Sequence, residues 1–302
     1  MPDVAPGSAT SAEASSTDVA SLHEQIFAGG SKTYYNSSRI FPPAIRKDVF
    51  TLYAFVRVAD NLVDDVPQQP GEFRAFRQRW RNAMVGKPAG DMVIDPFVAL
   101  SKRVGFDPQW TEDFLAAMES DLGTVAINTL DEVLRYTWGS AEVIGLYMMR
   151  ILNLPEAARE TACLMGRSMQ FINFLRDVAE DHALGRRYLP LGESGSTASG
   201  LTDLTPESVA ANPEAFCTYM RGQTSLYTGW QKAAQQGYGY LPWRLRLAVK
   251  TASDLYNWTA QVIMRDPMEV WRRKIKPGKL RILGTALRNL FYIPPALPRG
   301  DV

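Results

Sequence analysis

The sequence predicts an all-α protein organised as one domain, and three observations carry that expectation. Apolar residues recur at spacings of three and four, as in Ile45, Val49, Leu52, Tyr53 and Val56, which line one face of a helix. Few windows alternate apolar and polar residues with the period of two that a half-buried strand requires. Prolines punctuate the periodic stretches, where a helix must start or stop.

The elements follow in order. Residues 21–66 are helical in pattern, and Pro42-Pro43 suits a helix start inside them. Pro67, Pro70 and Gly71 break the chain, and residues 73–84 form the next helix before the turn GKPAGD. Asp95-Pro96 opens a third helix and Asp107-Pro108 a fourth, which carries Trp110, Phe114, Leu115 and Met118. Residues 131–152 form one long periodic helix. Residues 156–182 form a longer one, with no proline and only Gly166 inside. Residues 192–213 are polar and small, and most are expected to be a mobile loop. Residues 213–236 and 242–264 are two further helices. The expected division is a disordered tail over 1–20, an all-α domain over 21–290 and a C-terminal tail over 291–302.

Composition narrows the chemistry. The 302 residues hold 46% apolar, 11% aromatic and 22% charged side chains, near the average for a globular protein. Lys and Arg number 33 against 32 Asp and Glu, so a globally basic nucleic-acid binder is not expected. Two cysteines, Cys163 and Cys217, allow no disulfide framework. Two histidines, His23 and His182, leave little for a His-rich metal site or a Ser-His-Asp triad. No apolar run is long enough to span a membrane, and the N-terminus lacks the basic and apolar regions of a secretory signal. The expectation is a cytoplasmic protein with reduced cysteines. Neither GxxxxGK[ST] nor GxGxxG occurs, so no Gly-rich phosphate loop is indicated.

The sharpest feature is a pair of Asp-x-x-x-Asp motifs. Asp60 and Asp64 lie in FVRVADNLVDD, and Asp177 and Asp181 in FINFLRDVAEDHALGRRYLP. Helical positions i and i+4 share a face, so each pair places two like charges together beside apolar neighbours. An unpaired carboxylate there is costly, and something positive should compensate it. Oxygen donors without His or Cys suit a hard ion such as Mg²⁺, which is commonly held by carboxylates together with substrate phosphate. Arg57, Arg176, Arg186 and Arg187 flank the pairs, and guanidinium forks match phosphate oxygens. The plain alternatives are solvated helix faces for the aspartates and simple ion pairing for Arg57 and Arg176. Gln170, Asn173, Asp177 and Asp181 form a polar stripe on an otherwise apolar helix, which lines a cavity or forms a structural network.

These segments resemble the squalene/phytoene synthase family. SKTYYNSSRIFP (31–42), IRKDVFTLYAFVRVADNLVDD (45–65), YTWGSAEVIGL (136–146), GRSMQFINFLRDVAEDHALGRRYLP (166–190) and LPWRLRLAVKTASDLY (241–256) match its motifs in order. The resemblance implies an isoprenoid synthase-like helical bundle around a central cavity, and head-to-head joining of two prenyl diphosphates. Asp60, Asp64, Asp177 and Asp181 would then bind Mg²⁺, with Mn²⁺ as a substitute. Ser31, Arg57, Arg176 and Arg186 would hold diphosphate oxygens, and Gln170 and Asn173 would line the polar end. Tyr136 would stand near the developing carbocation or assist proton transfer, and Tyr34 and Tyr256 would line the cavity. Glu142 departs from the glycine common in the family. GSAEVIG resembles a subset of phytoene synthases, which favours phytoene from geranylgeranyl diphosphate. Squalene or dehydrosqualene from farnesyl diphosphate is the alternative, with NADPH needed only for squalene. A non-catalytic scaffold and an all-α binding module for acidic partners are the rivals from other classes. The intact aspartate pairs speak against both.

Residues 270–302 hold eight Lys/Arg against the single acid Asp301. Leu280, Leu283, Leu287, Leu290 and Phe291 give this stretch an apolar face. A basic amphipathic segment suits a membrane surface, so membrane-surface contact through 270–302 is expected. The alternative is a final helix folded back on the domain.

Overall fold

In the computed structural model of the protein, residues 16–30, 35, 41–192 and 200–294 are described. Ser31, Tyr34 and residues 193–199 of the expected mobile loop lie outside them. The chain is helical nearly throughout. Helix α1 (Ser16–Gly30) begins inside the stretch expected to be a tail. It packs on α2 (Pro43–Asp64) through Phe27, which stacks on Tyr53 at 4.0 Å. His23 of α1 donates from Nε2 to the carbonyl of Met92 at 2.8 Å, which leaves Nδ1 to accept from the Thr51 hydroxyl at 3.2 Å.

Helix α2 starts with Pro43 in its first turn, where the missing N–H costs nothing. It buries Leu52, Phe55, Ala59 and Val63, and Phe55 stacks on Phe97 at 3.8 Å. Helices α3 (Pro70–Met84), α4 (Ile94–Val104) and α5 (Pro108–Ser120) pack around it. The Asp107 side chain caps α5 by accepting from the Gln109 N–H at 2.9 Å. The Asp91 carboxylate accepts from the N–H groups of Val93 and Ile94 at the start of α4.

The predicted helix over 131–152 is interrupted. Helix α6 (Leu130–Thr137) carries a Thr129/Glu132 capping box, a π-helical turn spans Trp138–Glu142, and α7 (Val143–Ile151) continues. The Val143 N–H reaches the Trp138 carbonyl, five residues back, which is the mark of that wider turn.

The predicted helix over 156–182 is also broken. A 3₁₀ turn (Glu156–Ala158) leads into α8 (Arg159–Arg176), and α9 (Val178–Ala183) follows after Asp177, whose φ of −102° and ψ of 19° leave the helical range. Gly145 and Gly166 let α7, α8 and the π-helical turn meet backbone to backbone. A Cβ on Gly145 would strike the Ala162 carbonyl, and one on Gly166 the Ala141 carbonyl.

After α9, Arg186–Arg187 (β2) pairs in parallel with Val125–Ala126 (β1), in the register Val125 to Arg186. Within the expected loop, α10 (Pro206–Ala211) forms, and Leu201, Leu204 and Val209 are buried. Those apolar anchors fix the described part of that segment against the core. Helix α11 (Pro213–Ala234) packs along α8, and α12 (Trp243–Arg265) lies beside both. Helices α13 (Glu269–Arg272) and α14 (Lys279–Asn289) close the described chain.

The buried apolar residues form two clusters. One joins α1–α5, α7 and the start of α12, and the other joins α6, α8–α11, the rest of α12 and α13. Helix α8 has α7, α11, α12 and the π-helical turn as neighbours, yet its residues 161–167 are only partly buried. An interior helix whose side chains still reach solvent borders an opening, and this is where a central cavity would lie. No helix among the described residues is long and apolar enough to cross a membrane.

Candidate functional site

The last turn of α2, the break between α8 and α9, and the β1–β2 pairing deliver the carboxylates to one end of the bundle. Asp60 accepts from Arg57 at 2.6 Å, one turn back on α2. Asp64 pairs with Arg186 at 2.5 Å, across 122 residues of sequence. Arg186 is buried, and it also donates to the carbonyls of Val63 at 2.8 Å and Asp121 at 3.2 Å. The parallel pairing of β2 with β1 holds it there. Arg176 grips Asp177 with two bonds of 2.8 and 2.5 Å.

One carboxylate at this centre escapes sequence reasoning. Asp121, at the C-terminal end of α5, is 3% exposed. Its two oxygens accept from the hydroxyls of Tyr136 at 2.7 Å and Tyr188 at 2.8 Å. Gln68 ties the same corner by donating to the carbonyls of Val63 and Asp121 and accepting from the Gly123 N–H. A lone acid at a helix end carries no motif, so nothing in the sequence marks it. Tyr136 therefore spends its hydroxyl on Asp121, and its ring packs with Tyr188 at 5.0 Å and Phe174 at 5.9 Å.

The second aspartate pair differs from the expected arrangement on one continuous face. Asp181 keeps the backbone bond to the Asp177 carbonyl at 2.8 Å. The helix break nevertheless puts the two side chains into different hollows. Asp181 lines a small one with Phe174, Arg186, Tyr188 and Leu204. Asp177 lines one of about 140 Å³ with Arg176, Glu180, Trp271, Arg273 and Lys274. The polar stripe on α8 is longer than predicted. Arg167 stands one turn before Gln170, and it grips the buried Glu142 with bonds of 2.7 and 3.0 Å. The Asn173 side-chain oxygen is buried with no hydrogen-bond partner among the described residues. Tyr256, on α12, is partly buried against the second cluster.

The electrostatics show an excess of acid. Asp181 is pushed up to about 8, first by burial and then by Asp177. Asp60 is pushed up to about 6 by burial and then by Asp64. Burial also pushes Asp121 up to about 6, against the two tyrosine hydroxyls. Asp181 accepts no side-chain hydrogen bond among the described residues, whereas Asp60, Asp64 and Asp177 each have an arginine. No three of the described carboxylates form a ready-made cage for a metal ion. The donor set is oxygen only, and it includes an unpartnered acid and an orphaned amide oxygen. It therefore fits a hard cation whose coordination is completed by an anionic ligand.

A pH dependence follows. Folding raises these three pKa values above the unfolded value near 3.8. The stability they contribute is full at low pH and is lost as pH rises through about 6 to 8. His23, lowered from 6.5 by burial, acts in the opposite sense only below that value. Between about pH 7 and about pH 8 the cation-free protein is expected to lose melting temperature as pH rises. Mg²⁺ with inorganic diphosphate is expected to restore it at the upper pH. A melting temperature that ignores both pH and added ligand would mean the acids are already compensated.

The chain is similar to known proteins over most of its length. The model of the family described as Squalene/phytoene synthase matches residues 27–281. The chain is 26% identical over 283 residues to a 15-cis-phytoene synthase of Paracoccus sp., covering 89% of this chain and 90% of that one. It is 30% identical over 207 residues to a phytoene synthase of Thermus thermophilus, covering 67% and 70%. Among solved structures, a dehydrosqualene synthase in complex with ligand superposes with a TM-score of 0.75 at 21% identity, over 90% of this chain and 95% of that one.

Proposed function

Because this chain belongs to the squalene/phytoene synthase family, we propose that it is a prenyltransferase joining two geranylgeranyl diphosphates head to head to give phytoene. The observation that carries the reading is that one acid from each motif, Asp64 and Asp181, lies beside the buried Arg186. Curated relatives named phytoene synthase, 26–29% identical over more than four-fifths of this chain, support that choice of product.

Asp60, Asp64, Asp177 and Asp181 are the residues that would hold Mg²⁺. Bound there, it would supply Lewis-acid stabilisation of the charge that develops on the diphosphate. Arg57, Arg176 and Arg186 offer guanidinium donors to phosphate oxygens and exchange their present carboxylate partners for them. Loss of the first diphosphate leaves an allylic cation. The double bond of the second substrate attacks it, and proton loss closes a cyclopropylcarbinyl diphosphate. Departure of the second diphosphate, rearrangement and a final proton loss give the linear product without a reductant. The cation needs surroundings that exclude water. Partly buried apolar side chains beside the first cluster, such as Ile144 and Met148, would supply a dry wall. The hydroxyl of Tyr136, held on Asp121, orients that carboxylate toward the same centre.

The test is a product assay. Purified protein with Mg²⁺ is given geranylgeranyl or farnesyl diphosphate, each with and without NADPH, and the hydrocarbons are identified by mass. A C40 product without NADPH is expected. A C30 product would move the substrate to farnesyl diphosphate, with NADPH dependence separating squalene from dehydrosqualene. No product from either substrate would overturn the reading.

A further inference from the structure

Helix α14 is amphipathic in the wrong sense for a helix folded onto a protein. At 100° per residue, Leu280, Leu283, Leu287, Leu290 and Phe291 fall within an arc of about 100°. That arc faces solvent. Leu280 is 87% exposed, Phe291 85%, and Leu283, Leu287 and Leu290 each more than half. Ile293, just beyond, is equally bare. The opposite face, with Ile282, Thr285, Ala286 and Asn289, turns toward the protein and lies against α12.

Polar bonds fix that orientation. The Asn289 amide donates to Thr251 and to Asp254, Arg288 pairs with Asp254 at 3.0 Å, and Arg281 lies over the Trp258 ring at 4.7 Å. The leucines are therefore held outward. Of the large apolar side chains exposed among the described residues, six lie between positions 280 and 293. Trp243, 59% exposed, opens α12 at the end where α14 finishes, since Tyr292 packs on Lys250. Singly exposed apolar residues need no explanation, but a contiguous row of this size marks a contact surface.

Charge identifies the partner. Residues 270–294 contain seven Lys/Arg and no acid. Lys276, Lys279 and Arg281 have no acidic partner among the described residues. A second copy docking through this face would bring like charges together across a two-fold interface. An anionic lipid surface satisfies both features, because leucines enter the acyl boundary while lysine and arginine meet headgroup phosphates.

We propose that the outward face of α14, with Lys276, Lys279 and Arg281 beside it, is a docking surface for anionic membrane lipid. Helix α13, joined to α14 by a short segment, borders the hollow at Asp177. Docking through α14 thus brings that end of the site close to the membrane. The surface stands on its own observations. Only its use, in exchanging long hydrocarbon chains with the bilayer, rests on the proposed function.

The test is flotation of the full chain with vesicles of phosphatidylcholine alone or mixed with phosphatidylglycerol, without substrate. Binding is expected to the mixed vesicles and to weaken with added salt. The double variant Leu283→Glu, Leu287→Glu is expected to lose at least about tenfold in vesicle affinity. Its melting temperature and its turnover of detergent-dispersed substrate should stay at the wild-type level. Lys279→Gln with Arg281→Gln should weaken binding to the anionic vesicles only. The proposal is overturned if wild-type protein does not float with anionic vesicles, or if the leucine variant floats as well as wild type. It is equally overturned if sedimentation shows a wild-type dimer that the leucine variant splits. If vesicles bind while the product assay is empty, the docking surface stands and the proposed reaction falls.

Discussion

Asp181→Asn is expected to cut turnover by roughly a thousandfold, about 4 kcal/mol of transition-state stabilisation, without destabilising the fold. Asparagine keeps the shape of the side chain and removes its charge. In the ligand-free protein that charge is unwelcome. Burial and Asp177 push the Asp181 carboxyl up to about 8, and among the described residues no side chain donates a hydrogen bond to it. The variant should therefore melt at or above the wild-type temperature near pH 8 while its product assay is nearly silent. Asp64→Asn makes a useful contrast. Asp64 is the partner of the buried Arg186, so this variant should lose turnover and also about 1–2 kcal/mol of stability, because a charge-assisted bond goes with it. An Asp181→Asn protein that turns over normally would remove this carboxylate from the chemistry. One that unfolds readily would show that the acid is structural instead.

The largest stability effect is expected from Arg167→Met. Glu142 is 3% exposed, and the bidentate pair with Arg167 is its compensation. The same guanidinium lies over the Trp230 ring at 5.4 Å, so the variant loses that contact too. Removing one partner of a buried ion pair leaves an uncompensated charge and costs about 3–5 kcal/mol. Replacing both partners by apolar residues of similar size is often nearly neutral. Glu142→Met combined with Arg167→Met should thus recover most of the loss in a denaturant titration. A single variant less than about 1 kcal/mol weaker than wild type, on the scale of surface pairs, would show that the pair is solvated in practice.

Much of this protein is legible along the chain. Proline at the first turn of α2, α3, α5 and α11 and the Asp107 cap are local signals, and the predicted helices begin within a few residues of them. The two aspartate motifs and the amphipathicity of α14 are likewise properties of a few consecutive turns. The breaks at Trp138–Glu142 and at Asp177 are not, because no proline marks them. Each occurs where a helix adjusts to neighbours distant in sequence, as where Gly166 meets the Ala141 carbonyl.

Asp121 shows the same limit from the side of function. It is an ordinary acid at the end of α5 until Tyr136 and Tyr188 bring their hydroxyls to it from other elements. Glu142 stands out in the sequence only as a departure from glycine, and its meaning comes from Arg167. The sequence by itself determined the helical period, the acids and bases each helix offers, and the existence of an apolar face on α14. The tertiary structure alone decided that Arg186 reaches Asp64 across 122 residues, that no side chain among the described residues donates a hydrogen bond to Asp181, and that the α14 leucines point outward. The physical reason is range. Periodicity and capping act within one or two helical turns, whereas burial and charge compensation depend on which turns pack together.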